Sequence, residues 1–434
     1  MKDRLKEKFS QRQATVGVVG LGYVGLPLAV RFAEVGFRVI GQDISPQVVE
    51  KLSRRENYIP DVDDQLLRRV VDEGRLTATT EPSALAEADS VSICVPTPLS
   101  KSREPDMTYI MQALEALRPH LHPGMLLVLE STTYPGTTED LIVPLVEEAG
   151  FKVGEEVFVA FSPERIDPGN PTFKVHNTPK VIGGVTPACT ELAKTLYSQA
   201  IEQVVPVSTS RAAELVKLLE NTFRNINIGW ANEFALICRR LGVDVWEVID
   251  AASTKPFGFM AFYPGPGLGG HCIPVDPHYL SWKLKTVGYT SRFISVADEI
   301  NTEMPHHVVL LAMETLNRVK KPLKGSRILL VGAAYKRNIG DTRESPFFPL
   351  ADGLKRRGAE IAYHDRLVPQ IRLLDGEELT SVELVPEVLS QTDLVVIVTD
   401  HSYINWEELV SHAPLVLDTR NATRGITSSN IVRL

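Results

Sequence analysis

Residues 15–25 read TVGVVGLGYVG, and the organisation of the whole chain follows from them. A short β-branched run ends on the spacing Gly20, Gly22, Gly25, and a stretch of helical character follows as far as Gly36. Strand, glycine turn and helix in that order make a dinucleotide-binding turn. The first glycine forms the bend, the second admits a pyrophosphate to the backbone, and the third lets helix and strand pack. Leu21, Tyr23 and Val24 occupy the other turn positions and count with the glycines as cofactor contacts. Asp43 ends the next strand, 18 residues past Gly25. A carboxylate there accepts hydrogen bonds from a ribose 2′-hydroxyl and repels a 2′-phosphate, so NAD is expected over NADP.

Outward from this turn, FRVIGQD (37–43), SVSICVP (90–96), LLVLEST (126–132), VFVAFSP (157–163) and KVIGG (180–184) read as strands alternating with helical stretches. Such alternation predicts a doubly wound α/β domain with a parallel sheet. Ligands of these sheets lie beyond the carboxyl edge, which makes Thr97, Ser131 and Thr132 candidate cofactor contacts, with helix capping as the competing role for the last two. A second β-α block opens at LKGSRILLVGAAY and continues through AEIAYHD, TDLVVIVTD and PLVLDTR, with FFPLADGLKRRG as a helix between them. Between the blocks, Ser210 to about Gly242 reads as one long helix with Gly242 as its C-cap. The expected architecture is two Rossmann-like domains, 1–207 and 321–434, joined by a long central helix within a helical dimerisation domain, 208–320.

Composition agrees with a multidomain globular protein: 434 residues, 44% hydrophobic and 23% charged. No apolar stretch reaches the roughly 20 residues of a membrane helix. The charged start, MKDRLKEKFSQRQ, reads as a frayed helix or tail with no export signal. Four widely spaced cysteines give neither a disulfide framework nor a metal site, so a reducing cytoplasm is expected. The net charge of −8 is spread over mixed signs and argues against a nucleic-acid surface. An anionic small molecule must then be held by local positive groups.

The segment GPGLGGHC (265–272) crowds glycines ahead of Cys272, which stands between His271 and a short loop bearing Asp276. That polar setting suits a thiolate. Cys94, Cys189 and Cys238 lie in apolar runs and read as small core residues. On the long helix Lys217, Asn221 and Arg224 share one stripe, four and three residues apart. A solvated helix face is the ordinary meaning of such spacing, but the apolar flanks and a mid-helix Asn favour a site.

The motifs GLGYVG, VPTP, ESTTYPGTTE, SPERIDPG, ELVKLLENTFRNINIGWANE, GPGLGGHCIPVDP and YKRNIGDTRESP resemble, in order and over nearly the whole chain, those of the UDP-sugar dehydrogenases. The resemblance implies an N-terminal NAD domain, a C-terminal UDP-binding domain and a middle helix that dimerises. It further implies a four-electron oxidation of C6 to a carboxylate, in which Cys272 forms a thiohemiacetal and then a thioester. Lys217 and Asn221 would attend the reacting oxygen. Asp276, with Thr132 through a water, would take protons, and Glu164 would assist hydrolysis. Glu164, Arg165, Ile166, Lys217, Asn221, Arg224, Lys255, Phe262, Gly267, Gly269 and Lys336 would contact the substrate, and Arg343 the cofactor.

UDP-glucose dehydrogenases usually carry Lys immediately before the acid matching Asp276, where this chain has Val275, and an acid four places after Glu164, where it has Pro168. GGHCIPVDP resembles instead the branch acting on N-acetylated sugars. UDP-N-acetylglucosamine is the expected substrate, with UDP-N-acetylmannosamine or UDP-glucose as alternatives and cell-surface polysaccharide precursors, O-antigen or capsule, as the destination. A β-hydroxyacid dehydrogenase would need neither Cys272 nor the block after Leu323, and a non-enzymatic NAD-binding regulator would have no use for Lys217, Asn221, Cys272 and Asp276 together.

Overall fold

Residues 126–129 and 157–161 are apolar throughout, the pattern of strands covered on both faces, and none of them is more than 1% exposed. The protein, described here by a computed structural model at residues 1–100, 104–167, 170, 172–270 and 273–434, builds two compact units around such strands. Unit 1 comprises residues 1–220 with 278–289, and unit 2 comprises 221–277 with 290–434.

Unit 1 holds eight strands: β1 Thr15–Val19, β2 Arg38–Gln42, β3 Leu76–Thr79, β4 Ser90–Ile93, β5 Met125–Leu129, β6 Val157–Phe161, β7 Lys180–Gly184 and β8 Val204–Val207. They lie in the order β3-β2-β1-β4-β5-β6-β7-β8. Residues along β1 alternate between two cores: Val16 and Val18 pack with Phe32, Leu192 and Tyr197, and Val19 with Ile93, Leu114 and Ile142. The sheet departs from the parallel expectation once, since β7 runs antiparallel to β6, with Ala160 opposite Gly184. No helix is assigned among the described residues between them. A parallel neighbour needs a crossover over the sheet face, whereas a chain that simply turns back pairs antiparallel.

The charged N-terminus is also more ordered than its composition predicts. Lys2–Ser10 is a helix whose Leu5 and Phe9, one turn apart, enter the core at 3% and 0% exposure, while Lys2 and Lys6 pair with Glu191. Burying the Phe9 ring contributes about 2 kcal/mol, more than the exposed ion pairs do.

The long helix Ser210–Leu241 starts on a Thr209 cap, whose hydroxyl accepts the Ala212 N–H at 3.0 Å, and is followed by Gly242 at φ +69°. Its first turns belong to unit 1 and the rest to unit 2. Buried Glu214 anchors it by accepting the N–H of Gly136 at 2.5 Å and the N–H and hydroxyl of Thr138 at 2.9 and 2.7 Å. Leu215, Leu219, Phe223 and Trp230 stay exposed along it. No helix of the described residues is long and apolar enough to cross a membrane.

Unit 2 carries β9 Arg327–Val331, β10 Glu360–His364, a small hairpin of β11 Gln370–Arg372 and β12 Glu378–Thr380, then β13 Leu394–Ile397, β14 Val416–Asp418 and β15 Ile431–Arg433. Its parallel sheet runs β10-β9-β13-β14-β15, so the second block is Rossmann-like as expected. Asp365, fully buried after β10, accepts the N–H groups of Ala333 and Ala334 at 2.8 and 3.0 Å and of Leu367 at 2.9 Å. His401 accepts the Asn338 N–H on Nδ1, so its Nε2–H donates to Asp365 at 3.1 Å. Burial alone would raise the Asp365 carboxyl, but the bonds from His401, Ala334 and Ala333 outweigh it and hold the group below the usual carboxylate range.

Asp365→Ala strands these donors, and urea titration at pH 7 should show unit 2 weakened by about 3 kcal/mol. Because the folded carboxyl is depressed, its stabilisation is present above the unfolded value of about 3.9 and lost as pH falls through the folded one. The gap between wild type and variant should therefore narrow in acid; a constant gap down to the lowest folded pH would contradict the assignment.

Candidate active site

The glycine turn of unit 1 uses its three glycines for three different reasons. Gly20 has φ +86°, and a methyl group on it would lie 2.8 Å from the Cys94 carbonyl oxygen. On Gly25 a methyl would overlap the Gly20 carbonyl oxygen, so only glycine lets the helix Gly25–Glu34 start this close to the turn. Around Gly22 there is open space: a methyl there would meet nothing within 4 Å. Val24, the residue before the helix, gives it no side-chain cap, and although the Leu26 N–H is taken by the Gly22 carbonyl at 3.1 Å and Pro27 has no N–H, the positive end of the helix still faces the turn and favours an anion there. Asp43, half-buried, accepts the Leu21 N–H at 2.8 Å on one oxygen and the Ser45 N–H at 2.9 Å on the other. Each oxygen keeps a lone pair for a ribose hydroxyl. Open space at Gly22, an uncapped helix and a half-exposed acid together fit the dinucleotide.

Thr97, Ser131 and Thr132 follow β4 and β5 on the same carboxyl edge. The Ser131 hydroxyl donates to the Val95 carbonyl at 2.8 Å, and the Thr97 carbonyl accepts the Tyr279 hydroxyl at 3.1 Å. Thr132 is half-buried. Tyr23 and Ile166 face a cleft of about 220 Å³ with Pro27, Val30, Phe173 and Val175. Arg343 belongs to unit 2, where Asp341 holds its guanidinium at 2.6 Å.

After β6, Glu164 draws several groups together in unit 1. Its Oε1 accepts the N–H of Arg165 and of Ile166, both at 2.7 Å, and its carbonyl accepts the buried Lys217 Nζ at 2.6 Å. Arg165 itself is engaged by Glu220, at 2.6 and 3.2 Å, and by the Pro179 carbonyl at 2.6 Å. The guanidinium expected on substrate is thus held within the unit.

In unit 2 Asn221, one turn beyond Lys217 on the helix, donates to Asp276 at 2.5 Å; both are buried, at 6% and 1% exposure. Asp276 opens the helix Asp276–Thr286. Asn225, one turn further, donates to the Ile273 carbonyl at 3.2 Å, and its own buried Oδ1 has no partner among the described residues. The glycine-rich loop is pressed against neighbours: methyls on Gly265 and Gly269 would lie 2.6 Å from Arg420 Nη1 and Tyr335 Cβ. Gly270 at φ +95° donates its N–H to the Arg343 carbonyl at 3.0 Å, and Gly267 packs against Pro346 and Pro305. Phe262 meets Phe223 edge-on at 5.9 Å. Lys336 is half-buried, while Arg224 and Lys255 are exposed, Lys255 with its ammonium 5.0 Å from the Phe257 ring. Cys272 and His271 lie outside the described residues.

Three groups escaped the sequence reading. Arg420 follows β14, donates to the Val398 carbonyl at 2.8 Å and abuts the glycine loop at Gly265. Burial lowers its guanidinium against the pull of Asp400 and Asp418. Lys180 and Glu130, side chains 7% and 0% exposed, form a 2.7 Å ion pair beside Glu164. Their signal was present, a charge just after one apolar strand and at the start of another, but 49 intervening residues hide the partnership.

Comparison with known proteins agrees with this geometry. Three domain models of the UDP-glucose/GDP-mannose dehydrogenase family match the chain: the NAD binding domain at residues 14–201, the central domain at 211–303 and the UDP binding domain at 329–425. NDP-N-acetyl-D-galactosaminuronic acid dehydrogenase of Ralstonia solanacearum is 37% identical over 94% of this chain and 95% of its own length. UDP-N-acetyl-D-mannosamine dehydrogenase of Escherichia coli is 36% identical over 95% of this chain and 99% of its own. The solved UDP-D-ManNAc dehydrogenase of Pyrococcus horikoshii superposes with a TM-score of 0.88 at 32% identity, covering 96% of this chain and 98% of that one. The chain therefore belongs to the UDP-glucose/GDP-mannose dehydrogenase family, as an NAD-dependent oxidoreductase of UDP-sugars.

Proposed function

We propose that the chain oxidises C6 of a UDP-N-acetylhexosamine to a carboxylate, with Cys272 as covalent nucleophile. The observation that carries this reading is the buried Asn221–Asp276 hydrogen bond, four residues after Cys272 and one helical turn after Lys217. A buried carboxylate four residues along the sequence from a cysteine that ends a glycine-crowded segment suits proton transfer at a covalent centre. Bound NAD supplies hydride acceptance at both oxidation steps. Lys217 stabilises the negative charge that develops on the C6 oxygen, and Asn221 holds that oxygen or a water. Asp276, helped by Thr132 through a water, removes protons.

The Cys272 thiolate adds to the aldehyde; after the second oxidation, water attacks the thioester and the C–S bond breaks. Glu164 accepts the proton of that water. The sugar loses four electrons and gains one oxygen. On the substrate, Ile166, Phe262, Gly267, Gly269 and Lys336 act with the main chain at Glu164 and Arg165. Arg224 and Lys255, being exposed, need the substrate or a second subunit to cover them, and Arg343 is assigned to the cofactor.

The N-acetyl group is supported by the relatives' names and by apolar Val275, 9% exposed. UDP-N-acetylmannosamine and UDP-N-acetylglucosamine are supported equally. The product would enter polysaccharide precursors in a reducing cytoplasm. Residues 208–320 are proposed as a middle dimerisation domain between 1–207 and 321–434, because an apolar row of Leu215, Leu219, Phe223 and Trp230 left to solvent marks an interaction surface.

With NAD and either N-acetylated UDP-hexose, turnover should exceed that with UDP-glucose and yield two NADH per sugar, and Cys272→Ala should release no uronic acid; normal acid release by that variant would remove the covalent step. NADP should serve at least about tenfold worse than NAD in kcat/KM, with Asp43→Ala narrowing the gap; parity in the wild type would exclude Asp43 as the ribose reader. Light scattering at low micromolar concentration should return twice the chain mass, and a fully active monomer would contradict the dimer.

A further inference from the structure

The buried ion pair behind Glu164 has no part in the chemistry above. Lys180, at the start of β7, places Nζ 2.7 Å from Oε2 of Glu130, 3.6 Å from Oε2 of Glu164 and 3.5 Å from the Pro163 carbonyl. Glu130 follows β5, and its other oxygen accepts the Tyr197 hydroxyl, which stands 2.9 Å from the Ser92 hydroxyl. The Lys180 ammonium also lies 5.6 Å from the Tyr197 ring centre. Two carboxylates thus share one ammonium in a place almost closed to water. Joining strand ends does not require this, since apolar side chains of similar volume hold buried elements at least as well.

What distinguishes the arrangement is which carboxylate it serves. The Glu164 side chain is 14% exposed, while Glu130 is sealed. Other charged or titratable neighbours of the cluster are the Lys217 ammonium on the Glu164 carbonyl, the Arg165–Glu220 pair, Tyr197 and Cys94. Burial and Glu130 push the Cys94 thiol up, so it stays neutral. Burial alone would lower the Lys180 ammonium, but Glu130 and Glu164 together outweigh it and keep the lysine charged. Without that charge, two neighbouring carboxylates in low dielectric would repel, and the Glu164 side chain would lose the contact that fixes it.

We propose that Lys180 is a positioning residue for Glu164: anchored on Glu130, its ammonium holds the Glu164 carboxylate in the orientation that accepts the proton of the water that hydrolyses the Cys272 thioester. The inference rests on the reading of Glu164 as the hydrolytic base. Removing the ammonium should slow hydrolysis but not the first oxidation, and most strongly in acid.

The test uses the full-length enzyme with NAD and UDP-N-acetylmannosamine or UDP-N-acetylglucosamine, whichever the wild type turns over faster. Stopped-flow NADH formation reports oxidation, intact-protein mass spectrometry reports acyl-enzyme, and steady-state rates are taken from pH 5.5 to 9. Lys180→Gln should keep the initial burst, accumulate acyl-enzyme and lose about tenfold in kcat at pH 7, recovering at high pH as the acidic limb moves up by about one unit. Lys180→Arg should restore most of the rate. Glu130→Gln, which leaves Lys180 to Glu164 alone, should move the limb the opposite way; it also carries the test if Lys180→Gln does not fold. Opposite shifts from the two ends of one ion pair are not what a purely structural link would give.

If Glu164→Gln accumulates acyl-enzyme while Lys180→Gln matches wild type in profile and adduct, Lys180 has no such role and the Glu164 reading stands. If Glu130→Gln leaves the limb in place or moves it upward, the proposal likewise fails. If Glu164→Gln hydrolyses normally, the base reading falls and the Lys180 proposal with it.

Discussion

An unbroken backbone hydrogen-bond ladder from Ser210 to Leu241 is the constraint on which the proposed chemistry depends. Residues four apart on such a ladder share a face about 6 Å apart, and that is how Asn221 and Asn225 are fixed in register. The helix cannot be slack at its start, because Glu214 ties it to the turn at Gly136 and Thr138. Nor can it drift in unit 2, where a methyl on Gly229 would lie 3.1 Å from Ala297 Cβ. Asn225 and Asn232 extend the same line of amides to the Ile273 carbonyl and the Gly265 N–H, so one helix addresses both ends of the glycine-rich loop.

The two sheets share a turn and use it differently. In both, an acid at the end of the second strand accepts an N–H of the turn after the first: Asp43 from Leu21, and Asp365 from Ala333. Asp43 retains access to solvent, whereas Asp365 is sealed by His401 and Leu367. The second turn lacks the open position as well, since fully buried Ala334 stands where the first turn has Gly22. Equivalent topology therefore gives one ribose-reading turn and one internal latch.

Much of this was legible in the sequence because period and punctuation are local. The buried strands, the glycine turn, the long helix with its Gly242 stop and the second β-α block all follow from residues within a short window. The N-terminal helix was not legible, because two apolar residues among lysines and glutamates give little amphipathic signal until Phe9 has a core to enter. β3 and β8 are four-residue strands with little buried apolar surface of their own. The reversal of β7 depends on what the preceding connection lacks, and the Lys180–Glu130 pair on which strand ends the sheet brings together. Arg165 reads as a free cation in sequence only because Glu220 lies 55 residues away.

The glycine turn separates two kinds of selection. At Gly20 and Gly25 the backbone has no room for a side chain, so replacements there are eliminated by misfolding, whatever the protein is asked to do. At Gly22 the space beside the backbone is vacant and the torsion is ordinary, and a larger residue is compatible with the folded chain alone. A library screened for solubility would let position 22 vary while purging 20 and 25, and only a screen that demands the cofactor would recover all three.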